Sequence, residues 1–340
     1  MSSAPANTHD FAQPASAGWR ALPPDYAIPD HAPSLPEAQQ YCARLAHSHY
    51  ENFSVVTWFL PKHLHQHFYN VYAYCRISDD LGDEVGDAKQ SLVLLDEWEA
   101  ELNATYMSMV EPPLKDVRRP AEELAADFPG RNRMNPRHPV FIALRETIRE
   151  FDIPRQPFAD LLTAFRQDQT IGRYATFDYV LGYCHYSANP VGHLVLYLCG
   201  YRDAERQKLS DCTCTALQLA NFWQDVAVDY AKGRIYLPLE DLAKYGVSEC
   251  DIAERRTTPQ FLEMMKFEVA RAREWFQMGL PLAKMVDKEL ALDIELFSRG
   301  GQEILNAIER QGHDVLKRRP AISKPRKLWL VAHAALGKLL

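Results

Sequence analysis

Beyond residue 36 apolar residues recur three or four positions apart through most of the chain, and alternating β-branched runs are scarce. This period predicts helices over 62–85, 88–108, 137–151, 154–170, 176–186, 188–200, 203–231, 258–284, 287–311 and 325–338. An earlier helix opens at Ser34-Leu35-Pro36-Glu37, the pattern of a capped start, and continues from Ala38 to His49. Breakers separate these stretches, as at Glu111-Pro112-Pro113, 129–136 and Gly233 to Pro238. The predicted class is all-α. No stretch within 37–340 is long or polar enough to be a linker, so one catalytic-size domain is expected there. Residues 1–36 hold seven of the 22 prolines and no usable period, which predicts a disordered or extended N-terminal arm.

Composition narrows the partners. The chain is 47% hydrophobic and 24% charged, ordinary for a globular protein, and its net charge of −7 gives no reason to expect nucleic acid. Seven cysteines, an odd number without zinc-type pairs, suggest reduced thiols and a cytoplasmic address. No basic region followed by an apolar run marks a secretory signal. The longest apolar stretch, Val191 to Cys199, is interrupted by Gly192 and His193 and falls short of the ~20 residues a bilayer span needs. A basic tract (Lys317, Arg318, Arg319, Lys324, Arg326, Lys327) runs into the amphipathic LWLVAHAALGKLL, which suits either a peripheral contact with an anionic membrane or a terminal helix packed on the core. Neither a nucleophile elbow nor a GxGxxG is present.

The chemistry concentrates in two acidic segments. In YAYCRISDDLGDEVGD a helix places Asp79 and Asp83 on one face and Asp80 and Glu84 on the adjoining strip. Each like-charge pair costs ~0.2–0.5 kcal/mol and Gly82 costs ~1 kcal/mol relative to Ala, so the segment is poor helix design. A solvated acidic face is one reading. The second segment, QLANFWQDVAVDYAKGRIYLP, repeats the spacing at Asp225 and Asp229 on a helix that also carries Leu219, Phe222, Trp223 and Val226. Carboxylates are seldom buried unless paired or bound to metal. If the two helices face each other, four carboxylates converge on a space whose repulsion cations relieve. Oxygen-only ligands suit Mg²⁺, which takes one or two carboxylates together with substrate phosphates. Arg76, Lys232 and Arg234 lie near enough in sequence to bind phosphate oxygens, Arg in a bidentate fork. The chemistry indicated is metal-assisted departure of a diphosphate.

These two segments resemble the aspartate-rich motifs of the squalene and phytoene synthases. The resemblance extends through HYENFSVVTWFLP at 49–61, RYATFDYVLGYCHYSANPVG at 173–192 and HDVLKRRPAISKPRKLWLV at 313–331. It implies a single-domain isoprenoid-synthase type I fold with a central cavity. Asp79, Asp83, Asp225 and Asp229 would hold Mg²⁺ bridging to diphosphate, with Asp80, Glu84 and Asn221 as further metal-ligand candidates. Arg76 matches the family's diphosphate-binding arginine, and Gln218 and Asn221 match polar cavity residues. Lys232, Arg234 and Tyr236 complete the substrate-binding candidates of the second motif. The cavity beneath should be apolar and aromatic.

Departures from the family pattern point to a branch. Where most relatives carry a Ser-Lys-Ser-Phe-like segment this chain has His49-Tyr50-Glu51-Asn52-Phe53, so Asn52 or Tyr50 would replace the serine contacts, with His49 and Phe53 beside them. Ser187-Ala188-Asn189-Pro190-Val191-Gly192 replaces Val-Ala-Gly-Thr-Val-Gly, Gln224 stands where an arginine is usual, and Gly300-Gly301 where a tyrosine is frequent. HYENF, SANPVG and RGGQEIL together resemble the hydroxysqualene synthases encoded with bacterial hopanoid biosynthesis. That resemblance implies presqualene diphosphate as substrate, loss of pyrophosphate, rearrangement and water capture, with a presqualene diphosphate synthase upstream and a reductase downstream. The glycines are expected to open the cavity, and Asn189 to hydrogen-bond a water near the cation. Tyr183 is a catalytic candidate; with His185 and Tyr186 it either lines the cavity or packs in the core. Asp168 matches a family acid or forms a helix-stabilising salt bridge. His63 and His67 share a helix face, two ligands without a third. The sister reaction, condensation of two prenyl diphosphates to presqualene diphosphate, squalene or a carotenoid precursor, is the alternative within enzymes. A noncatalytic assembly factor would be expected to lose the four acids, and all are present.

Overall fold

The structure is a computed structural model that describes residues 22–48, 60–109, 135–323 and 326. The segment HYENF, with His49, Tyr50, Asn52 and Phe53, lies outside the described residues, as does the C-terminal helix expected over 325–338 apart from Arg326.

The helical period is realised almost stretch for stretch. Helix α1 (Leu35–Ser48) begins where expected, with the backbone N–H and the hydroxyl of Ser34 both donating to Glu37 Oε2, at 2.8 and 2.7 Å. Then follow α2 (His65–Asp83), α3 (Ala88–Met107), α4 (Pro139–Phe151), α5 (Gln156–Gln167), α6 (Phe177–Ser187), α7 (Asn189–Leu198) and α8 (Ala204–Ala231). Two short helices, α9 (Leu239–Tyr245) and α10 (Glu249–Ala253), precede α11 (Pro259–Gly279) and α12 (Lys288–Arg310). The short pair escaped the period because neither spans enough turns to show one. The helix expected to run to 284 stops at Gly279 and tightens into a 3₁₀ turn, Leu280–Lys284, because Pro281 can neither donate to the ladder nor clear the preceding turn. Among the described residues no β-strand occurs, and no helix is long and apolar enough to cross a membrane.

Two hydrophobic cores organise these helices. One surrounds α2, with Tyr74, Ile77, Trp98, Phe141 and Phe158 fully buried. The other surrounds α8, with Trp223, Phe261 and Phe276. Each long helix is therefore anchored on its own core, and the space between them is a cavity lined by both. Close approach elsewhere relies on glycine. A Cβ on Gly82 would lie 3.2 Å from Phe165 Cβ, which brings α2 against α5, and one on Gly192 would overlap Ser210 Oγ, which seats α7 on α8.

The described part of the N-terminal arm is not loose. Leu22 and Tyr26 are buried, Pro24–Tyr26 forms a 3₁₀ turn, and Tyr41 donates to the Asp25 carbonyl at 2.9 Å. Prolines at 23 and 24 restrict the unfolded chain, so little entropy opposes docking of the buried tyrosine.

Candidate active site

Helical phase divides the first acidic run. Asp79 and Asp83 line a cavity of ≈ 600 Å³ between α2 and α8. Asp80 and Glu84, expected as metal ligands, instead line a separate pocket with Leu22 and Tyr26. A step of one residue turns a side chain by about a quarter of the helix, enough to carry it off the cavity face. Asp80 is buried and accepts two hydrogen bonds from Arg76, one of them from Nε at 3.0 Å, and a third from the Tyr26 hydroxyl at 2.8 Å. Its work is to hold the guanidinium, whose Nη1 stands 3.9 Å from Asp79 Oδ2 at the cavity wall. Glu84 is an exposed C-cap.

On α8 the spacing holds for the whole cavity face: Gln218, Asn221, Asp225 and Asp229 all line it, with Phe222 beside them. The chain then reverses at Gly233, whose φ of 84° lies in the left-handed region that favours glycine. The reversal carries Lys232 and Arg234 across the cavity to Asp83, with Nζ 3.0 Å from Oδ2 and Nη1 2.8 Å from Oδ1. Ile235 donates to the Gly172 carbonyl at 2.8 Å, and a Cβ on Gly172 would meet the Gly233 carbonyl at 2.8 Å, so a glycine is required there.

The electrostatics are uneven. Asp79 is raised to about 7, by enclosure in the cavity first and the Asp83 charge second. Asp229 is likewise raised to about 7, by burial and by Asp225. For Asp83 burial acts upward, but the hydrogen bonds and charges of Arg234 and Lys232 win and hold it below the usual carboxylate range. In each pair, then, one acid is matched by cations or paired with one, and the other is left under strain.

Asp168 belongs to the cavity, not to a helix salt bridge. It accepts from Tyr183 at 2.7 Å and from Tyr236 at 3.0 Å, and Arg234 Nε lies 4.0 Å away. Burial raises its acid to about 6 against the pull of Arg234. Tyr236 stacks on Phe222 with centroids 3.8 Å apart, and Tyr183 tilts against both, so this wall of the cavity is aromatic. His185 and Tyr186 are outside the lining and meet each other edge to face.

Arg319, expected only as part of a basic tract that would either touch a membrane or lead into a packed terminal helix, lies at the site. It pairs with Asp225 through Nε and, at 2.9 Å, through Nη2, and it donates to Gln224 Oε1 at 3.2 Å. Gln224 in turn donates to the Pro320 carbonyl at 2.6 Å. The residue that departs from the family's arginine thus fixes the segment delivering another one. The only signal in the sequence was Gln224 itself, beside an aspartate without a local base.

A second cavity, ≈ 370 Å³ and apolar, adjoins the first through shared lining by Tyr72, Cys75 and Val191. Phe68, Val71, Val195, Leu217, Ile294 and Phe297 contribute to its wall. Two expectations about it fail. Asn189 lines neither cavity; it is buried, and its Oδ1 accepts from Thr215 at 3.1 Å. Ser187 and Val191, on either side of it, take the cavity face instead. Gly301 does not open the cavity either: a Cβ there would overlap Phe276 Cζ and come within 2.8 Å of Leu217 Cδ2, so the glycine makes room for packing, while a Cβ on Gly300 would meet nothing. His67 is engaged by Thr147 at 3.1 Å and Glu150 at 3.3 Å, not by a shared ligand with His63.

The donors fit a hard cation. All are oxygens, and among the described residues no three His, Cys, Asp or Glu side chains converge closely enough to hold an ion unaided. Ions would draw on these acids in ones and twos and complete their shells from phosphate and water, which is how Mg²⁺ is usually bound.

A helical cage with paired aspartates beside an apolar cavity is the design of an isoprenoid diphosphate-utilising synthase. The chain belongs to the squalene/phytoene synthase family, whose model matches residues 46–326. Squalene synthase HpnC from Alicyclobacillus acidocaldarius has a similar crystal structure, with 40% identity, a TM-score of 0.71, and coverage of 87% of this chain and 98% of that one. Phytoene synthase 3, chloroplastic, from Zea mays is 27% identical over 90% of this chain and 67% of its own length. Phytoene synthase from Arthrospira platensis is 26% identical over 88% and 93%. A dehydrosqualene synthase, 24% identical with a TM-score of 0.72 over 89% of this chain and 96% of its own, shares the fold.

Proposed function

We propose that this chain converts presqualene diphosphate and water into hydroxysqualene and pyrophosphate, within squalene and hopanoid biosynthesis. The observation that carries the reading is the adjacency of the two cavities: a charged one and an apolar one share the wall formed by Tyr72, Cys75 and Val191. Such a space suits a molecule that is diphosphate at one end and hydrocarbon at the other. Asp79, Asp83, Asp225 and Asp229, with Asn221 beside them, would hold Mg²⁺, which when bound supplies charge neutralisation of the departing diphosphate. Arg76, Lys232 and Arg234 bind its oxygens. Asp83 keeps the last two at the mouth until the substrate competes for them. Asp168 engages the hydroxyls of Tyr183 and Tyr236, which holds these aromatic residues in the cavity wall. The apolar walls exclude competing nucleophiles.

Water capture in preference to condensation is supported by the combination of HYENF, SANPVG and RGGQEIL. The phytoene synthase relatives favour the second reading, condensation of two prenyl diphosphates. The substrate would come from a synthase that joins two farnesyl diphosphates, and the alcohol would pass to a reductase. The seven free cysteines suit a reducing, cytoplasmic setting, with the lipid product handed over at the membrane face.

Purified protein should be incubated with Mg²⁺ and either presqualene diphosphate or farnesyl diphosphate alone. Hydroxysqualene from the first and no turnover of the second is expected, with loss of activity on chelation and recovery on adding Mg²⁺ back. Efficient consumption of farnesyl diphosphate alone would overturn the reading in favour of condensation.

A further inference from the structure

Arg76 lines two pockets, the acidic cavity on one side of α2 and, on the other, the pocket where the N-terminal arm docks. Between them stands Asp80, 5% exposed. Its carboxylate meets Arg76 fork to fork, Oδ2 on Nε and Oδ1 on Nη2, which fixes the plane of the guanidinium and turns Nη1 toward Asp79. The Oδ2 atom has a second donor, the hydroxyl of Tyr26, at 2.8 Å. Tyr26 is 2% exposed, 54 residues from Asp80 in sequence, and lies in a segment outside the family's matched range of 46–326.

We infer that Tyr26 is a positioning residue for diphosphate binding: the docked arm, through Asp80, sets the orientation in which Arg76 meets the phosphate oxygens. A carboxylate with one partner can rotate about its terminal torsion, which is broad and two-fold. A second donor on the same oxygen, the hydroxyl of a buried residue, removes that freedom. The arm is thereby part of the site although it contributes no atom to the cavity. The inference rests on Arg76 as a diphosphate ligand and is independent of which prenyl product forms.

The test is calorimetric binding of inorganic pyrophosphate, in Mg²⁺, to the full-length chain and three variants. Tyr26→Phe removes only the hydroxyl and should weaken binding about tenfold, the low end of the cost of losing a partner behind a ligand. Asp80→Asn should weaken it further. Tyr41→Phe is the control: Tyr41 also anchors the arm, through the Asp25 carbonyl at 2.9 Å, but has no bond toward Arg76, and binding should match the unaltered chain. Equal affinity in Tyr26→Phe and the unaltered chain would overturn the inference. So would equal weakening by Tyr26→Phe and Tyr41→Phe, which would make the arm merely structural. Should Tyr26→Phe not fold, Asp80→Asn decides, and unchanged affinity there overturns it. No binding by the unaltered chain would overturn the diphosphate site itself, a separate failure.

Discussion

The two aspartate-rich helices present the same spacing to the cavity but arm it differently. On α2 the residue after Asp79 is a buried carboxylate that grips Arg76 through two charge-assisted bonds, with Tyr26 behind it. On α8 the residue before Asp225 is an amide, and Gln224 reaches Arg319 through a single bond of 3.2 Å while holding the Pro320 carbonyl. Arg319 has an equally strong fork-to-fork pair, but with Asp225, a cavity acid, and it is largely exposed; Arg76 is therefore set by a carboxylate off the cavity, whereas Arg319 is free to exchange partners as charge enters the site. One side of the mouth is a fixed anchor and the other an adjustable one.

The largest effect should come from the acids themselves, and it should be the same on both sides. Replacing Asp79 and Asp83 together by Asn, or Asp225 and Asp229 together, is expected to lower the rate of pyrophosphate release by about 10³-fold or more, since each pair supplies electrostatic stabilisation that the other cannot replace. A large difference between the double variants, read in single-turnover release of pyrophosphate, would mean that only one helix handles the leaving group.

The arginines should then separate the two sides. Arg76→Gln is expected to cost about 10²-fold in kcat/KM, near the loss of one preorganised donor, and Arg319→Gln only about tenfold. For Arg319 the loss should fall mainly on KM, since an exchangeable partner contributes to capture more than to the transition state. Equal losses would end the distinction between fixed and adjustable anchors.

How far this asymmetry was legible follows from sequence separation. The four-residue repeats of Asp79/Asp83 and Asp225/Asp229 are local, and helix geometry alone put each pair on one face; the helices themselves followed from the apolar period. Asp80 looked equivalent to Asp79 because a sequence does not show which strip of a charged helix meets the core. Its partner Tyr26 lies in a proline-rich stretch without a period, and Arg319 is 94 residues from Asp225 in a basic tract that suited a membrane contact or a packed terminal helix. The apolar cavity draws on α2, α7, α8 and α12, so no single segment announces it. Asn189 was misplaced for a related reason: a polar residue in a segment that departs from the family pattern was credited with the cavity, when Thr215 on the facing helix claims its oxygen.

The smallest effects probe the backs of the two helices. Three residues after its first aspartate α2 has Gly82, buried against α5, and α8 has Val228, 44% exposed. A methyl group at 82 would lie 3.2 Å from Phe165 Cβ, an atom held by the backbone, so overpacking should outweigh the gain in helix propensity and Gly82→Ala should destabilise by ~1 kcal/mol. Val228→Ala has nothing to displace and trades a β-branched residue for the best helix former, which should stabilise by up to ~0.5 kcal/mol. Both are read by denaturant unfolding, with the change in midpoint at constant slope as the measure of stability. If Gly82→Ala also stabilises, α5 yields to α2, and the first helix is no more rigidly seated behind its aspartates than the second.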